Sequence, residues 1–112
     1  MTYTNTRLFI NGQWCDADGG KTLSVVNPVT GLELGRVSCA DKDSLDRALL
    51  AAQAGFDIWR NTPAVERSKI MDIAAINLRA RAEQIATLMT LEQGKPLAEA
   101  KAEVLMAAEV TE

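Results

Sequence analysis

Two short apolar runs near the amino terminus, at residues 8–10 and 13–15, are separated by the pair Asn11-Gly12. Asparagine and glycine both tolerate the positive φ angles that the two central positions of a type I′ turn require. The pattern therefore predicts a β-hairpin over residues 8–15.

A second pair of short segments, at residues 23–26 and 32–38, predicts two further strands. The tract NPVTG between them, at residues 27–31, favours a turn because a residue before proline is restricted to extended backbone. Strands this short and this few do not form an independent core, so we expect them to lie on, or add an edge to, a larger body.

The remaining two-thirds of the chain carries apolar residues at steps of three and four, which is the spacing of one helix face. Asp41 predicts the N-cap of a first helix that runs to about Arg60. The apolar face of this helix ends in Trp59, which we expect to be a packing anchor. Its members are Leu45, Ala48, Leu49, Ala52, Phe56 and Trp59.

The same spacing predicts three further helices. The pair Thr-Pro at residues 62–63 begins the second, because threonine can cap a helix and proline loses no hydrogen bond at the first helical position. The charged residues 79–83 predict a kink or break before the third helix, which Gly94 ends. The fourth follows Pro96, and its apolar pattern is still running at Glu112, so we expect the chain to be a piece of a longer polypeptide. The apolar positions are Ile70, Ile73, Ala74 and Leu78 in the second helix, Ile85, Leu88 and Met89 in the third, and Leu97, Ala100, Val104 and Ala107 in the fourth.

Composition excludes several classes of function. The chain has 112 residues, a net charge of -3 and no histidine, so it holds no Ser-His or Cys-His pair and no His-ligated metal. It lacks a long apolar run and a cluster of Lys and Arg, which argues against a membrane span, a nucleic acid and an anionic membrane as partners. No signal-peptide core precedes the first strand, so we expect a reducing, cytoplasmic location and two free, buried cysteines, Cys15 and Cys39.

A series of tracts resembles the N-terminal motifs of the aldehyde dehydrogenase family, in the same order. They are FINGQW at residues 9–14, NPVTG at residues 27–31, Trp59, the pair ER at residues 66–67, and LEQGKPL at residues 91–97. Their ordered occurrence, over nearly the whole chain, makes it similar to an N-terminal segment of this family. The run at residues 88–101 resembles the succinate-semialdehyde dehydrogenase branch most.

The resemblance implies an α/β fold in which residues 1–112 are part of a Rossmann-like cofactor domain. Residues 1–40 would then be strands and turns, and residues 41–112 about four helices. It also implies an enzyme that oxidises an aldehyde to the carboxylate with NAD or NADP. The likeness to the succinate-semialdehyde dehydrogenase branch implies that this aldehyde is succinate semialdehyde. In the family a cysteine thiolate attacks the aldehyde and a glutamate-activated water hydrolyses the thioester. The full-length relatives are usually dimers or tetramers, which implies a homo-oligomer.

No position of this chain matches the family's catalytic residues, which come later in the family's sequence. Cys15 ends the predicted hairpin and Cys39 precedes the first helix, so neither is a candidate nucleophile, and no Gly-rich phosphate loop is present. We therefore expect no catalytic, cofactor-binding or metal-binding side chain here. Some relatives hold a monovalent cation through main-chain oxygens, and the positions that match that site are Val26 and Glu103.

Several other side chains have both a structural and a functional interpretation. We interpret the tract around Lys95 as a helix end and not as a phosphate site, since one glycine and one lysine do not provide a cluster of backbone amides. The Lys95 ammonium could donate to the last carbonyls of the preceding helix. Glu99 and Glu103 share a helix face that we expect to be solvated, and we expect Trp14 in an apolar core. Arg67 is either an ion-pair partner or a ligand clamp.

Two functions are compatible with these patterns. In the first, the chain is the scaffolding N-terminal segment of an aldehyde-oxidising enzyme and is inactive alone. In the second, it is a free-standing helical interaction module, derived from such an enzyme, whose apolar helix faces bind a partner such as a full-length subunit.

Overall fold

The computed structural model describes residues 3–112, which fall into two compact units. Of the described residues, unit 1 holds residues 3–26 and Glu33–Asn61, and unit 2 holds Asn27–Leu32 and Thr62–Glu112. Unit 1 carries two antiparallel strand pairs and one helix, and unit 2 carries three helices and one turn.

The predicted hairpin is confirmed in unit 1. Strand β1 (Leu8–Ile10) pairs antiparallel with β2 (Gln13–Cys15). Asn11 and Gly12 join them with φ angles of 51° and 75°, which is the left-handed geometry that the sequence predicts for this turn.

The register of the hairpin decides where its aromatic residues lie. Phe9 is opposite Trp14, and their rings are 4.9 Å apart on one face, while Leu8, Ile10 and Cys15 are half-buried on the other. The expectation that Trp14 lies in an apolar core is therefore wrong, since its side chain is 62% exposed. Side chains alternate between faces along a strand, and here the helix covers the face opposite Trp14.

The second strand pair is β3 (Thr22–Val26) and β4 (Glu33–Ser38), each within one residue of its predicted start. The segment before the hairpin adds to the other edge of β4. The amide of Thr6 donates to the carbonyl of Arg36 at 2.9 Å, and the amide of Ser38 donates to the carbonyl of Thr6 at 2.9 Å. The strand β4 is thus paired on both sides.

Helix α1 (Lys42–Arg60) begins at the predicted cap, Asp41. One carboxylate oxygen of Asp41 accepts from the amide of Ser44 at 2.8 Å, as expected of an N-cap. The other oxygen accepts from the amide of Gly19 at 3.0 Å, a contact the sequence did not predict. A single side chain therefore caps the helix and fixes the loop between β2 and β3.

The face of α1 that the unit covers is not the apolar face predicted from the spacing. Ser44 is fully buried, and Ala48 and Ala51 are half-buried, whereas Leu45 and Leu49 are 53% and 60% exposed. The covered positions are thus held by small residues, and the larger residues are left outside. We call the predicted apolar face the α1 stripe, and it comprises Leu45, Ala48, Leu49, Ala52, Phe56 and Trp59.

Unit 2 contains α2 (Ala64–Ala80), α3 (Ala82–Gln93) and α4 (Leu97–Thr111). The break that the charged residues predict is confirmed, because Arg81 leaves helical geometry between α2 and α3. Pro63 occupies the N-cap of α2, with a φ of -53° and a ψ of 145°, so the helix begins one residue later than predicted.

Helix α4 packs against both α2 and α3, and small residues dominate the contact. Ala100, Val104 and Ala108 stand one turn apart on the buried face of α4, so Ala108 is buried where the periodicity favoured Ala107. On α2 the predicted stripe is also displaced, because Ala75 is buried and Ile73 is 59% exposed. The core of unit 2 consists of Ala75, Ala82, Ala86, Ala100, Val104 and Ala108.

The double role of Asp41 predicts a pH-dependent part of the stability of unit 1. The two amide donors, above all that of Ser44, stabilise the carboxylate and hold the pKa of Asp41 below its ordinary value of 3.8. A carboxyl group with a lower pKa in the folded state stabilises that state above the unfolded pKa. This contribution is lost as the pH falls through the folded pKa.

We therefore expect Asp41→Asn to unfold at a lower urea concentration than the wild-type chain at neutral pH, with the difference shrinking below about pH 4. Both tryptophans of the chain lie in unit 1, so tryptophan fluorescence reports the unfolding of that unit. Asp43→Asn, in the first turn of the same helix, is the matched control and should leave the midpoint nearly unchanged. A difference between Asp41→Asn and wild type that is independent of pH would contradict the assignment.

Candidate functional site

An open cleft of about 520 Å³ lies in unit 1 between the hairpin and α1. Leu50, Ala51 and Ala54 give it an apolar wall, and the amide side chains of Asn11 and Gln13 give it a polar rim. Its lining residues are Ile10, Asn11, Gln13, Cys15, Arg47, Leu50, Ala51 and Ala54. The cleft can admit a small apolar group, but a general base is not among its lining residues.

The charged residue of this cleft, Arg47, is already engaged. Its guanidinium donates to the carboxylate of Asp18, and this hydrogen bond raises the pKa of Arg47. The contact of Arg47 with a carboxylate of the same unit is a structural ion pair, and it uses one nitrogen of the guanidinium. We therefore assign Arg47 to fixing the loop after β2 against α1.

Each of the two cysteines lies at or just after the end of a strand. Cys15 ends β2 and lines the cleft, and Cys39 follows β4, where its amide donates to the carbonyl of Lys21 at 2.8 Å. Both thiols are free, as expected, but both residues are half-buried, so the expectation of full burial is wrong. That neither cysteine is a nucleophile stays a prediction.

Several acidic residues of unit 2 form ion pairs on its surface. Lys95 donates to Glu103 at 2.5 Å and Lys101 donates to Glu83 at 2.7 Å. The partner of Lys95 is thus the carboxylate of Glu103, where the sequence allowed a helical carbonyl. Within residues 3–112, His, Cys, Asp and Glu side chains form no group of three or more that could hold a metal ion.

The two positions of the main-chain cation site that the family resemblance implies lie in different units. Val26 is the last residue of β3, where the register with β4 shifts, and it belongs to unit 1. Glu103 lies within α4, in unit 2. The main-chain cation site that the family resemblance implies at these positions stays a prediction. Arg67, in the second turn of α2, likewise keeps both of its interpretations.

Two of the family-like tracts meet in unit 2. The turn at residues 27–32 is closed by the amide of Gly31 on the carbonyl of Asn27, at 2.8 Å, and by the amide of Val29 on the side-chain oxygen of Asn27, at 2.9 Å. Gly94 ends α3 in the left-handed conformation, with a φ of 74°. A Cβ atom at Gly94 would lie 3.2 Å from Pro28 and 3.3 Å from Val29.

This contact explains why the joint between α3 and α4 carries glycine. The backbone conformation and the close approach of the turn both disfavour a side chain at residue 94. The sequence predicts the turn and the helix end separately, but their spacing along the chain gives no sign that they touch. The contact of Pro28 and Val29 with Gly94 is thus a packing joint between these tracts.

Among residues 3–112, none of the helices combines the length and the hydropathy that crossing a bilayer would require.

Comparison with known proteins identifies the class to which this architecture belongs. Residues 14–112 match the model of the aldehyde dehydrogenase family, which is most of the chain. The strand pairs, the four helices and the ordered tracts are those of an N-terminal segment of that family. The chain belongs to the aldehyde dehydrogenase family.

Individual relatives have similar identities but different substrates in their names. The chain is 42% identical to the NADP-dependent succinate-semialdehyde dehydrogenase of Escherichia coli over 103 residues, which cover 92% of this chain and 21% of the relative. It is 40% identical to the NADP-dependent D-glyceraldehyde dehydrogenase of Thermoplasma acidophilum over 100 residues, covering 89% of this chain and 20% of the relative.

The crystal structure of succinate-semialdehyde dehydrogenase from Burkholderia pseudomallei superimposes with a TM-score of 0.88 at 40% identity. That match covers 92% of this chain and 21% of the solved one. The chain thus spans about a fifth of the length of the relatives it matches. The expected α/β fold, as the N-terminal part of a Rossmann-like domain, is confirmed.

The joint between the turn and Gly94 predicts a sharp cost for a side chain at that residue. Gly94→Ala should lower the free energy of unfolding by about 1–2 kcal/mol, because an L-residue is strained in left-handed geometry. Urea unfolding followed by helical circular dichroism measures the change.

The matched control is Gly55→Ala, at an interior position of α1 where a Cβ atom meets nothing within 4 Å. This substitution should stabilise the chain by about 0.5–1 kcal/mol, since alanine loses less backbone entropy in a helix. If Gly94→Ala left the unfolding midpoint unchanged or raised it, as Gly55→Ala should, the proposed constraint at Gly94 would be wrong.

Proposed function

We propose that this chain is the scaffolding N-terminal part of an enzyme that oxidises an aldehyde to the corresponding carboxylate with NAD or NADP. The observation that carries the proposal is the family match over residues 14–112, with relatives named as aldehyde dehydrogenases at about 40% identity. On this proposal residues 1–112 are part of the cofactor-binding domain. Residues 1–40 provide strands and turns, and residues 41–112 provide helices.

The role proposed for the segment is structural. The hairpin, the strand pair and the helices are held by caps, turns and surface ion pairs, such as the contacts of Asp41 and Lys95. The nicotinamide cofactor supplies hydride acceptance in the complete enzyme, and a thiolate and a base supply covalent catalysis and hydrolysis. We propose that these groups lie outside residues 1–112.

Succinate semialdehyde is the aldehyde we propose for the complete enzyme. The run at residues 88–101 and the relatives of that name in Escherichia coli and Burkholderia pseudomallei support it. The Thermoplasma relative, named for D-glyceraldehyde, is nearly as similar. Because relatives with different substrates are almost equally similar to this segment, the comparison supports the proposal that the segment stabilises the fold and does not select the aldehyde.

Two further properties belong to the same proposal. The complete enzyme would be a dimer or tetramer of identical chains, as the family resemblance implies. A reducing, cytoplasmic location is supported by Cys15 and Cys39, which are both free thiols.

The exposed α1 stripe favours a second candidate function, that of a free-standing module which binds a full-length subunit. Leu49 and Phe56, at 60% and 55% exposure, are the observation in its favour. The two functions differ in whether the chain must be continuous with catalytic residues to contribute to activity.

A chimera tests the first proposal. We expect that this chain, fused in place of the matching segment of the Escherichia coli succinate-semialdehyde dehydrogenase, supports NADP reduction with succinate semialdehyde. The reason is that the two segments share 42% identity and the fold of the family. A soluble chimera that retains its fold and is inactive would contradict the scaffolding role.

The isolated chain should produce no reduced NAD or NADP with any aldehyde, because the groups proposed to perform the chemistry are absent from it. The assay is absorbance of the reduced cofactor at high protein concentration, with the parent Escherichia coli enzyme as the positive control. Turnover above the rate measured in a blank that lacks protein would contradict this part of the proposal.

A further inference from the structure

The turn of the first hairpin contains a pair of residues with its own chemistry. Of the five asparagines of the chain, Asn11 alone precedes a glycine. The side-chain carboxamide carbon of an asparagine can reach the backbone nitrogen of the next residue, and glycine has no side chain to hinder that approach. Both Asn11 and Gly12 are exposed, so water reaches them. The pair therefore has the composition and the exposure of a site of spontaneous deamidation.

The reaction consumes one water molecule and involves no oxidation or reduction. The backbone nitrogen of Gly12 attacks Cγ of Asn11 and closes a five-membered imide, and the side-chain nitrogen leaves as ammonia with the proton of the Gly12 amide. Water then opens the imide. Attack at the side-chain carbonyl gives aspartate, whereas attack at the backbone carbonyl gives isoaspartate, in which the main chain runs through Cβ and Cγ. Either product adds one carboxylate to a chain whose formal charge is -3.

The closed turn holds the two reacting atoms apart. Ile10 pairs with Gln13, which leaves two residues in the turn, and these have φ angles of 51° and 75°. Positive φ at both positions defines a type I′ turn, in which ψ of the first residue is about +30°, the mirror image of type I. This torsion rotates the Gly12 nitrogen away from the Cβ side of Asn11, and hence away from the carboxamide carbon. The imide can close only after the torsion has changed, which opens the turn.

The hairpin is short, and the contacts that join its strands are exposed. Each strand has three residues, and a two-stranded ribbon of this kind is marginal by itself. The rings of Phe9 and Trp14 meet across the strands on the face opposite α1, although these side chains are 60% and 62% exposed. At the open end Arg7 Nε donates to Asp16 at 2.9 Å, in an exposed ion pair of small energetic value. We therefore expect the hairpin to open at a lower free energy than the whole chain unfolds.

We propose that Asn11-Gly12 is a deamidation site that the type I′ turn protects while the hairpin is closed and that reacts when the hairpin opens. The inference rests on this turn and is independent of the proposed function. Loss of ammonia makes the reaction one-way. Isoaspartate adds a backbone atom to a turn with room for two residues, so the pairing of Phe9 with Trp14 cannot re-form around it. Deamidation to isoaspartate thus makes a transient opening permanent.

Peptide mapping measures the protection. The 112-residue chain is incubated at one mildly alkaline pH, in buffer and in denaturing urea, and is then digested with trypsin. The peptide of residues 8–21 contains one asparagine, so a gain of one mass unit that fragmentation assigns to residue 11 reports the reaction. We expect conversion in buffer to be slower than in urea by about tenfold or more, because only the open fraction of the hairpin reacts.

Two variants test whether the hairpin controls the rate. Trp14→Ala removes the ring contact across the strands and should accelerate conversion in buffer by about two- to tenfold, with no change in urea. The matched control is Phe56→Ala, which removes an exposed aromatic side chain of α1 and should change the rate in buffer by less than about twofold. Circular dichroism of each variant confirms that the helices are retained.

The products test whether the opening is permanent. The isoaspartyl chain, separated by chromatography from the aspartyl chain, should unfold at a lower urea concentration than the unmodified chain, as followed by tryptophan fluorescence. Asn11→Asp adds the same charge with a normal backbone, and Asp-Gly also suits a type I′ turn, so its midpoint should stay close to that of the wild type.

Equal rates in buffer and in urea would overturn the proposal, because the turn then gives no protection. Absence of conversion in urea would overturn it as well, since the pair is then unreactive. If Trp14→Ala reacted in buffer at the wild-type rate, the reaction would not pass through an open hairpin. An isoaspartyl chain as stable as Asn11→Asp would overturn the permanent opening.

Discussion

Close contact through small side chains is the constraint on which the rest of this structure depends. The core of unit 2 is made of alanines and one valine, and the covered side of α1 in unit 1 carries Ser44, Ala48 and Ala51. Such residues allow two backbones to approach closely, but each removes little apolar surface from water. The larger side chains, such as Leu49, Ile73 and Met106, are consequently left on the outside. This distribution is the reverse of that in an independent domain, which buries its largest apolar side chains.

The features that the sequence predicted are those governed by local physics. Positive φ angles at Asn11 and Gly12, the cap at Asp41 and the left-handed end at Gly94 each depend on a few neighbouring atoms. A short stretch of sequence contains all the information that decides them. For this reason the strand pairs and the four helices were predicted to within one or two residues at their ends.

The features that the sequence did not predict depend on distant partners. Periodicity shows that α1 has an apolar face, but it does not say whether the hairpin covers that face or the small-residue face beside it. The exposure of Trp14 follows from hairpin register combined with the side on which α1 packs. The contact of Pro28 with Gly94 joins two tracts that lie far apart in the chain. None of these could be obtained from propensity or spacing alone.

The candidate site is predictable in a different sense, because the ordered tracts identify a family and two of them pack against each other. The tracts NPVTG and LEQGKPL resemble family motifs, and in this structure they form a packing joint at Gly94. A tract can thus carry strong information about ancestry while its physical role is to fix a turn against a helix end. The relatives agree with this interpretation, since enzymes named for succinate semialdehyde and for D-glyceraldehyde are almost equally similar to this segment. Similarity that does not follow the substrate is what the proposed structural role predicts, because packing geometry does not depend on the identity of the aldehyde.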